Sequence, residues 1–310
     1  MKSQSWRGEG NLRKIQVIDI ENAKVDEYVV CLIDVLGLKD KFKNWCAVEV
    51  ERPATLEPII SSVIPVCHFH EMFNDFFVKV ESGRTLEVLK QSFPESEVAR
   101  YLQCTEYKLG QQWFSDTFVF YAPTFNSSGN RSAVPVYYLL MTCCLAMLDS
   151  LFHRHPVRGA ICVGMGIELT KNNFFGPAFA EAYSLEREVA GYPRVIVSAE
   201  TLQCVDDVGS QHVDDPISQK IKQLAGLCST LVTRDTDGEY IVDYLGKGIY
   251  DYTSPEERGK LTVAVRAIYE FVISEWRRFR GDGNRKLALR YHLLREYIES
   301  RLPLWGIKQQ

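Results

Sequence analysis

The sequence predicts an α+β fold, a sheet built from hairpins as well as crossovers and followed by a helical pair. Three observations carry this. Short apolar, β-rich runs recur, as in Tyr28-Val29-Val30-Cys31-Leu32-Ile33 and Arg194-Val195-Ile196-Val197. Segments of helical length separate them, Val134 to Phe152 being the most apolar. Residues 256–279 and 285–302 then read as two helices joined by Gly281-Asp282-Gly283-Asn284. We divide the chain into an arm (1–24), a sheet domain (25–250) and a C-terminal helical extension (251–310).

Taken in order, Tyr28 to Ile33 suits a strand buried on both faces; it ends at Asp34 and turns at Gly37, with a helix expected from about Lys39. Residues 56–80 predict a long helix kinked at Pro65. A hairpin is expected over 105–122, with Thr105 to Leu109 or beyond as its first strand and Phe118 to Tyr121 as its second. Pro123 to Ser132 reads as a loop. Pro156 to Gly164 returns as a strand, and its two glycines keep one face lean. Ala178 to Ala190 is a helix stopped by Gly191 and Pro193, and Ser198 caps the helix after the next strand. Residues 229–233 and 239–244 form a last pair turned at Asp237-Gly238.

The chain has 310 residues, 46% of them hydrophobic, with 36 basic and 40 acidic side chains and a formal charge of −4. That composition excludes a disordered or fibrous chain and disfavours non-specific nucleic-acid binding. No run of 18 apolar residues occurs and the start lacks a signal-peptide core, so no membrane insertion is expected and the expected location is cytoplasmic. The cysteine count is odd at 9 and no Cys-x-x-Cys occurs, which predicts free buried thiols rather than disulfides or zinc.

Phosphate-loop, dinucleotide and His-Glu-x-x-His signatures are absent. Cys67-His68-Phe69-His70 and His153-Arg154-His155 lack partner pairs at zinc spacing and read as surface or helix-end histidines. Asp34 and Asp116 differ. Each stands against an apolar strand, where an ionised carboxylate is costly unless paired or bound to a cation. Together on neighbouring strand ends they would make a hard-oxygen site for Mg²⁺ or Mn²⁺; singly, each would cap a turn.

Five segments in order resemble class III nucleotide cyclases. Ile33-Asp34-Val35-Leu36-Gly37-Leu38 is similar to their first metal-aspartate motif, and Trp113-Phe114-Ser115-Asp116-Thr117-Phe118-Val119 to the hairpin carrying the second. Arg158 to Gly164 resembles their Arg-x-Gly strand, Gly176 to Glu186 the helix after it, and Arg194 to Ser198 the strand that follows. The resemblance implies a ferredoxin-like βαββαβ sheet with helices packed on one face. It also implies two metal ions per site on Asp34, Asp116 and the Val35 carbonyl, and phosphate cradled by the amides of Leu36, Gly37 and Leu38. Arg158 would neutralise phosphate across a homodimer interface.

Departures shape the rest. Where the family carries Asn and Arg on the helix, this chain has Ala180 and Ser184. Arg187 lies on the same helix face and would restore positive charge, and Tyr183 would stack on a base or pack at an interface. The adenine-reading Lys and Asp are replaced by Gln112 and Asn173, amides that both donate and accept. With Pro193-Arg194 and the helical extension, these features resemble the bacterial pyrimidine cyclases of the Pycsar antiphage system. That implies conversion of UTP or CTP to a cyclic nucleotide read by a separate effector protein. A purine cyclase and an inactive cyclase-like binding module are the alternatives.

Overall fold

The computed structural model describes residues 24–37, 56–92, 97–98, 101, 105, 107–126, 129–170 and 172–309. Its elements are β1 (Lys24–Val35), α1 (Leu56–Ser92), β2 (Gly110–Phe114), β3 (Thr117–Pro123), α2 (Val134–Phe152), β4 (Val157–Thr170), β5 (Asn173–Phe175), α3 (Pro177–Ser184), β6 (Val195–Val197), α4 (Ala199–Ser210), α5 (Pro216–Thr230), β7 (Val232–Arg234), β8 (Tyr240–Val242), α6 (Lys247–Tyr252), α7 (Pro255–Gly281) and α8 (Arg285–Arg301).

One sheet runs in the order β2-β3-β1-β4-β6-β8-β7, with β5 folded back on β4. Its first four strands are mutually antiparallel. With α1 and α2 as the connecting helices this is the ferredoxin-like βαββαβ order, extended by β6, which pairs in parallel with β4. The expected α+β class and C-terminal helices are those observed.

The central strand explains itself. Val29 to Leu32 have no exposure, because α1 and α2 cover one side of β1 and α3 approaches the other. On the first side Phe73 stacks on Phe120 and Cys31 meets Cys143 with Sγ atoms 3.3 Å apart, a thiol contact. On the second, Gly164 leaves room for Ala178, which a Cβ there would meet at 3.4 Å. Gly176, at φ 141°, starts α3 so close to β4 that a Cβ would lie 2.7 Å from the Gly166 backbone. This close approach delivers α3 to the sheet.

Helix α2 is 19 residues long, apolar enough to cross a membrane by length and composition, and 89% buried within the protein. A helix apolar on all sides is here the core itself. Ser254 and Glu257 close a capping box at the start of α7, and Asn284 caps α8. Among the described cysteines all are free, with only Cys67 exposed.

Several boundaries differ from expectation. β1 begins at Lys24, inside the expected arm, and β2 at Gly110. Thr105 is helical, its hydroxyl donating to the Tyr101 carbonyl four residues back. Helix α1 continues past 80 to Ser92. Helix α5 takes up residues 229–230, and Asp215 caps it by accepting from Ile217 and Ser218. The helix expected from Lys39, Leu38 itself and most of the arm lie outside the described residues.

Candidate active site

Register brings the expected residues to one end of the sheet. Asp34 pairs with Thr117 on β3 and with Arg158 on β4. Directly opposed residues share a face, so all three side chains point the same way. Thr117 Oγ1 donates to Asp34 Oδ1 at 3.2 Å, and Arg158 Nη2 lies 3.6 Å from Asp34 Oδ2. Gln112 pairs with Val119, two residues beyond Thr117, which puts it on the same face.

Asp116 occupies the two-residue turn between β2 and β3. The Val35 amide donates to its carbonyl at 3.0 Å, so the turn is stitched to the end of β1. Ser115, the first turn residue, takes φ 61°. Positive φ there alone is the type II′ pattern, in which glycine is usual. The Asp116 charge is near enough to Asp34 to raise its pKa.

Glu186, to which the sequence reading gave no role, is the third carboxylate. It is 5% exposed and forms an ion pair with Arg158 Nε. It falls in a π-helical turn over Leu185–Val189 that continues α3, where the Ala190 amide donates to the Leu185 carbonyl; such turns collect at functional sites. Its signal was its spacing. Ala178, Ala182, Glu186 and Ala190 form a buried stripe with a four-residue step, and an acid on such a stripe is not solvated.

The electrostatics follow. Burial first, then the charges of Glu186 and Asp116, push the Asp34 pKa up to about 6, against the opposing pull of Arg158 and Thr117. Burial also raises Glu186, with Arg158 and Arg187 acting the other way. Arg290, on α8, has its pKa lowered by burial and then by the charge of Arg158. The C-terminal extension thus places a second guanidinium within electrostatic reach of the site. Two carboxylates on one arginine, with the Asp116 charge adding to theirs, leave an excess of negative charge on hard oxygens, which suits a divalent cation.

The remaining expected residues are placed as follows. Leu36 donates its amide to the Pro156 carbonyl at 2.9 Å, so that amide is not offered to phosphate. Gly37 takes φ 89° with open space where a Cβ would be, as close approach by a phosphate requires. Arg187 is exposed, donates to the Tyr183 hydroxyl at 3.0 Å and acts on Glu186 through its charge. Tyr183 itself is exposed beneath the Arg187 guanidinium. Gln112 and Asn173 do approach each other. Gln112 Oε1 accepts from the Phe174 amide at 3.2 Å, next to Asn173, whose Nδ2 donates to Thr170 Oγ1 at 2.8 Å.

No family model matches the chain, and no curated protein does. Among solved structures it is similar to a class III adenylyl cyclase-like ATP-binding protein from Pseudomonas aeruginosa, with 13% identity and a TM-score of 0.34. The similarity covers 67% of this chain and 41% of that one.

Proposed function

We propose that this protein is a nucleotide cyclase that converts UTP or CTP to its 3′,5′-cyclic monophosphate and pyrophosphate. The single observation carrying this is the pairing of Asp34 and Glu186 with Arg158 at the ends of β1 and β4, with the Asp116 turn stitched to the end of β1 and its charge felt at Asp34. In the reaction the ribose 3′-oxygen bonds to the α-phosphorus, the bond to the β-phosphate bridging oxygen breaks, and the 3′-hydroxyl proton is released. Bound at Asp34 and Asp116, divalent cations such as Mg²⁺ or Mn²⁺ would acidify the 3′-hydroxyl and neutralise the triphosphate.

The chain's own groups do the rest. Asp34, ionised at neutral pH yet under-compensated, is primed to hold a cation. Arg158 neutralises the carboxylates before a cation arrives and turns to the phosphates once its acids are engaged. Arg290 adds the positive charge that Ala180 and Ser184 do not supply. Gln112 and Asn173 present amides to a base edge. The exposed Phe114, Phe175 and Tyr183 fit a site completed by a second copy of the chain. The product would be a messenger for a separate effector protein in antiphage defence, and the free thiols fit a reducing cytoplasm.

The test is incubation with each of the four nucleoside triphosphates and Mn²⁺, with products identified by mass. A cyclic product from UTP or CTP is expected, and Asp34→Asn or Asp116→Asn lowers its rate by about 10³-fold or more. A product from ATP or GTP alone assigns a purine cyclase. No product from any of the four assigns a binding module and overturns the proposal.

A further inference from the structure

Two histidine motifs that look unrelated in the sequence meet at one point of the fold. His68 lies on α1. Asp149 lies near the end of α2, with His153 one turn later at its cap. His68 Nε2 is 3.2 Å from Asp149 Oδ2, and His153 Nδ1 is 3.1 Å from the same oxygen. The three ligand atoms lie within 4.8 Å of one another, and the imidazoles stand edge to face with centroids 5.0 Å apart.

We infer that His68, Asp149 and His153 form a binding site for a transition-metal ion of the zinc class, separate from the carboxylates at Asp34. Two imidazole nitrogens and one carboxylate oxygen suit Zn²⁺ or Co²⁺ and not Mg²⁺. With metal–ligand bonds of about 2.0–2.1 Å, ligand atoms at the corners of a tetrahedron stand about 3.3 Å apart; the two measured edges are 3.2 and 3.1 Å. Asp149 and His153 are four residues apart on one helix, so their spacing is set by the backbone. The imidazoles are each 45% exposed and Asp149 24%, which leaves an outward position for water and a path for the ion.

His153 Nδ1 also lies 3.0 Å from the Asp149 carbonyl, so this nitrogen is turned toward two oxygens of one residue. As a ligand it must be unprotonated, so the bound imidazole carries its hydrogen on Nε2. The ion would tie α1 to α2 at the mouth of the loop 153–156. That loop accepts the Leu36 amide through Pro156 and leads to Arg158 two residues later. The site is a clamp on the α1–α2 side of the sheet, whereas Asp34, three residues after Cys31, faces the other side.

The experiment titrates Co²⁺, then Zn²⁺, into the metal-stripped Asp34→Asn, Asp116→Asn double variant, so those carboxylates do not contribute. If that variant does not fold, the wild-type chain is titrated in saturating Mg²⁺. The expected result is one equivalent of Co²⁺ with a visible absorption band, its displacement by Zn²⁺, and a rise of several degrees in Tm. His68→Ala and His153→Ala each weaken binding by about 100-fold or more, beyond what loss of an outer hydrogen-bond partner costs, and His155→Ala leaves it unchanged. An absent band, or binding indifferent to His68→Ala, overturns the inference and leaves the trio as a hydrogen-bonded cluster.

Discussion

Two arginines enter the sheet side by side and meet opposite fates. Arg158 starts β4 and Arg194 precedes β6, and the Gly159 amide donates to the Arg194 carbonyl at 3.0 Å. Arg194 is 4% exposed and fully engaged. Its Nε donates to the Ala190 carbonyl and Nη2 to that of Val189, both at 2.8 Å, while Asp235 and Asp237 take the remaining guanidinium hydrogens. Tyr192 lies under its plane, 4.6 Å away. Arg158 pairs with two acids, Asp34 and Glu186, while Asp116 and Arg290 act on the cluster through their charges. The first arginine closes the chain behind the π-helical turn. The second balances a surplus of negative charge and can leave it. Saturation marks structure, and imbalance marks a site.

The largest expected effect tests that distinction directly. Arg194→Met strands Asp235 and Asp237 with two backbone carbonyls, and a loss of about 3–5 kcal/mol in urea denaturation is expected. Arg158→Met costs less than half as much, because Asp34, already near pKa 6, takes up a proton instead of remaining a buried charge. Under the proposed function, the same substitution should also remove turnover of the nucleoside triphosphate. Equal stability losses at the two positions would make both arginines structural and break the comparison.

Acid separates the two regions by sign. Asp34 has a raised folded pKa, about 6 against an ordinary 3.8. Between those values the folded state holds a proton that the unfolded state has lost, so stability from this group rises as pH falls from 6 to 4. The gain is at most about 3 kcal/mol, and Asp34→Asn removes it. Asp237 is the reverse, its pKa lowered chiefly by hydrogen bonds from Arg194. Its contribution is present above the ordinary carboxylate range and disappears as pH falls through its depressed value. In denaturation series, Asp34→Asn should lose the wild-type gain between pH 6 and pH 4, whereas Asp237→Asn should differ from wild type by a constant amount down to pH 4 and converge on it only below that.

The same contrast explains what could be read from the sequence. Val29 to Ile33, Val134 to Phe152 and Arg194 to Val197 were legible because unbroken apolar runs leave few alternatives to burial. Asp34 and Asp116 were legible as charges set against such runs. Glu186 was not, since an acid among Glu181, Arg187 and Glu188 reads as a solvated helix face, and only its four-residue step from Ala182 betrays burial. Helix α5 escaped because Ser218, Gln219, Lys220 and Lys222 give it a loop-like composition while only Ile217, Ala225 and Cys228 are buried. The meeting of His68 with His153 is tertiary: α1 and α2 are separated by a whole hairpin, and no spacing along the chain encodes their contact.

The smallest expected effect lies in the turns that carry the two outer aspartates. Asp237 is followed by Gly238 at φ 95°, where a Cβ would find only the Arg234 guanidinium at 3.5 Å. Asp116 is preceded by Ser115 at φ 61°. Both hairpins need a left-handed residue, and only the structural one uses glycine. A non-glycine residue there costs on the order of 1 kcal/mol, partly offset because glycine loses more entropy on folding. Ser115→Gly should therefore stabilise the protein by about 0.5 kcal/mol, and Gly238→Ser should destabilise it by about 1 kcal/mol. Turnover should stay within twofold of wild type in Ser115→Gly, because the turn that places Asp116 keeps its backbone path. A loss of stability in Ser115→Gly would mean that the serine side chain, not the backbone alone, holds the Asp116 turn in place.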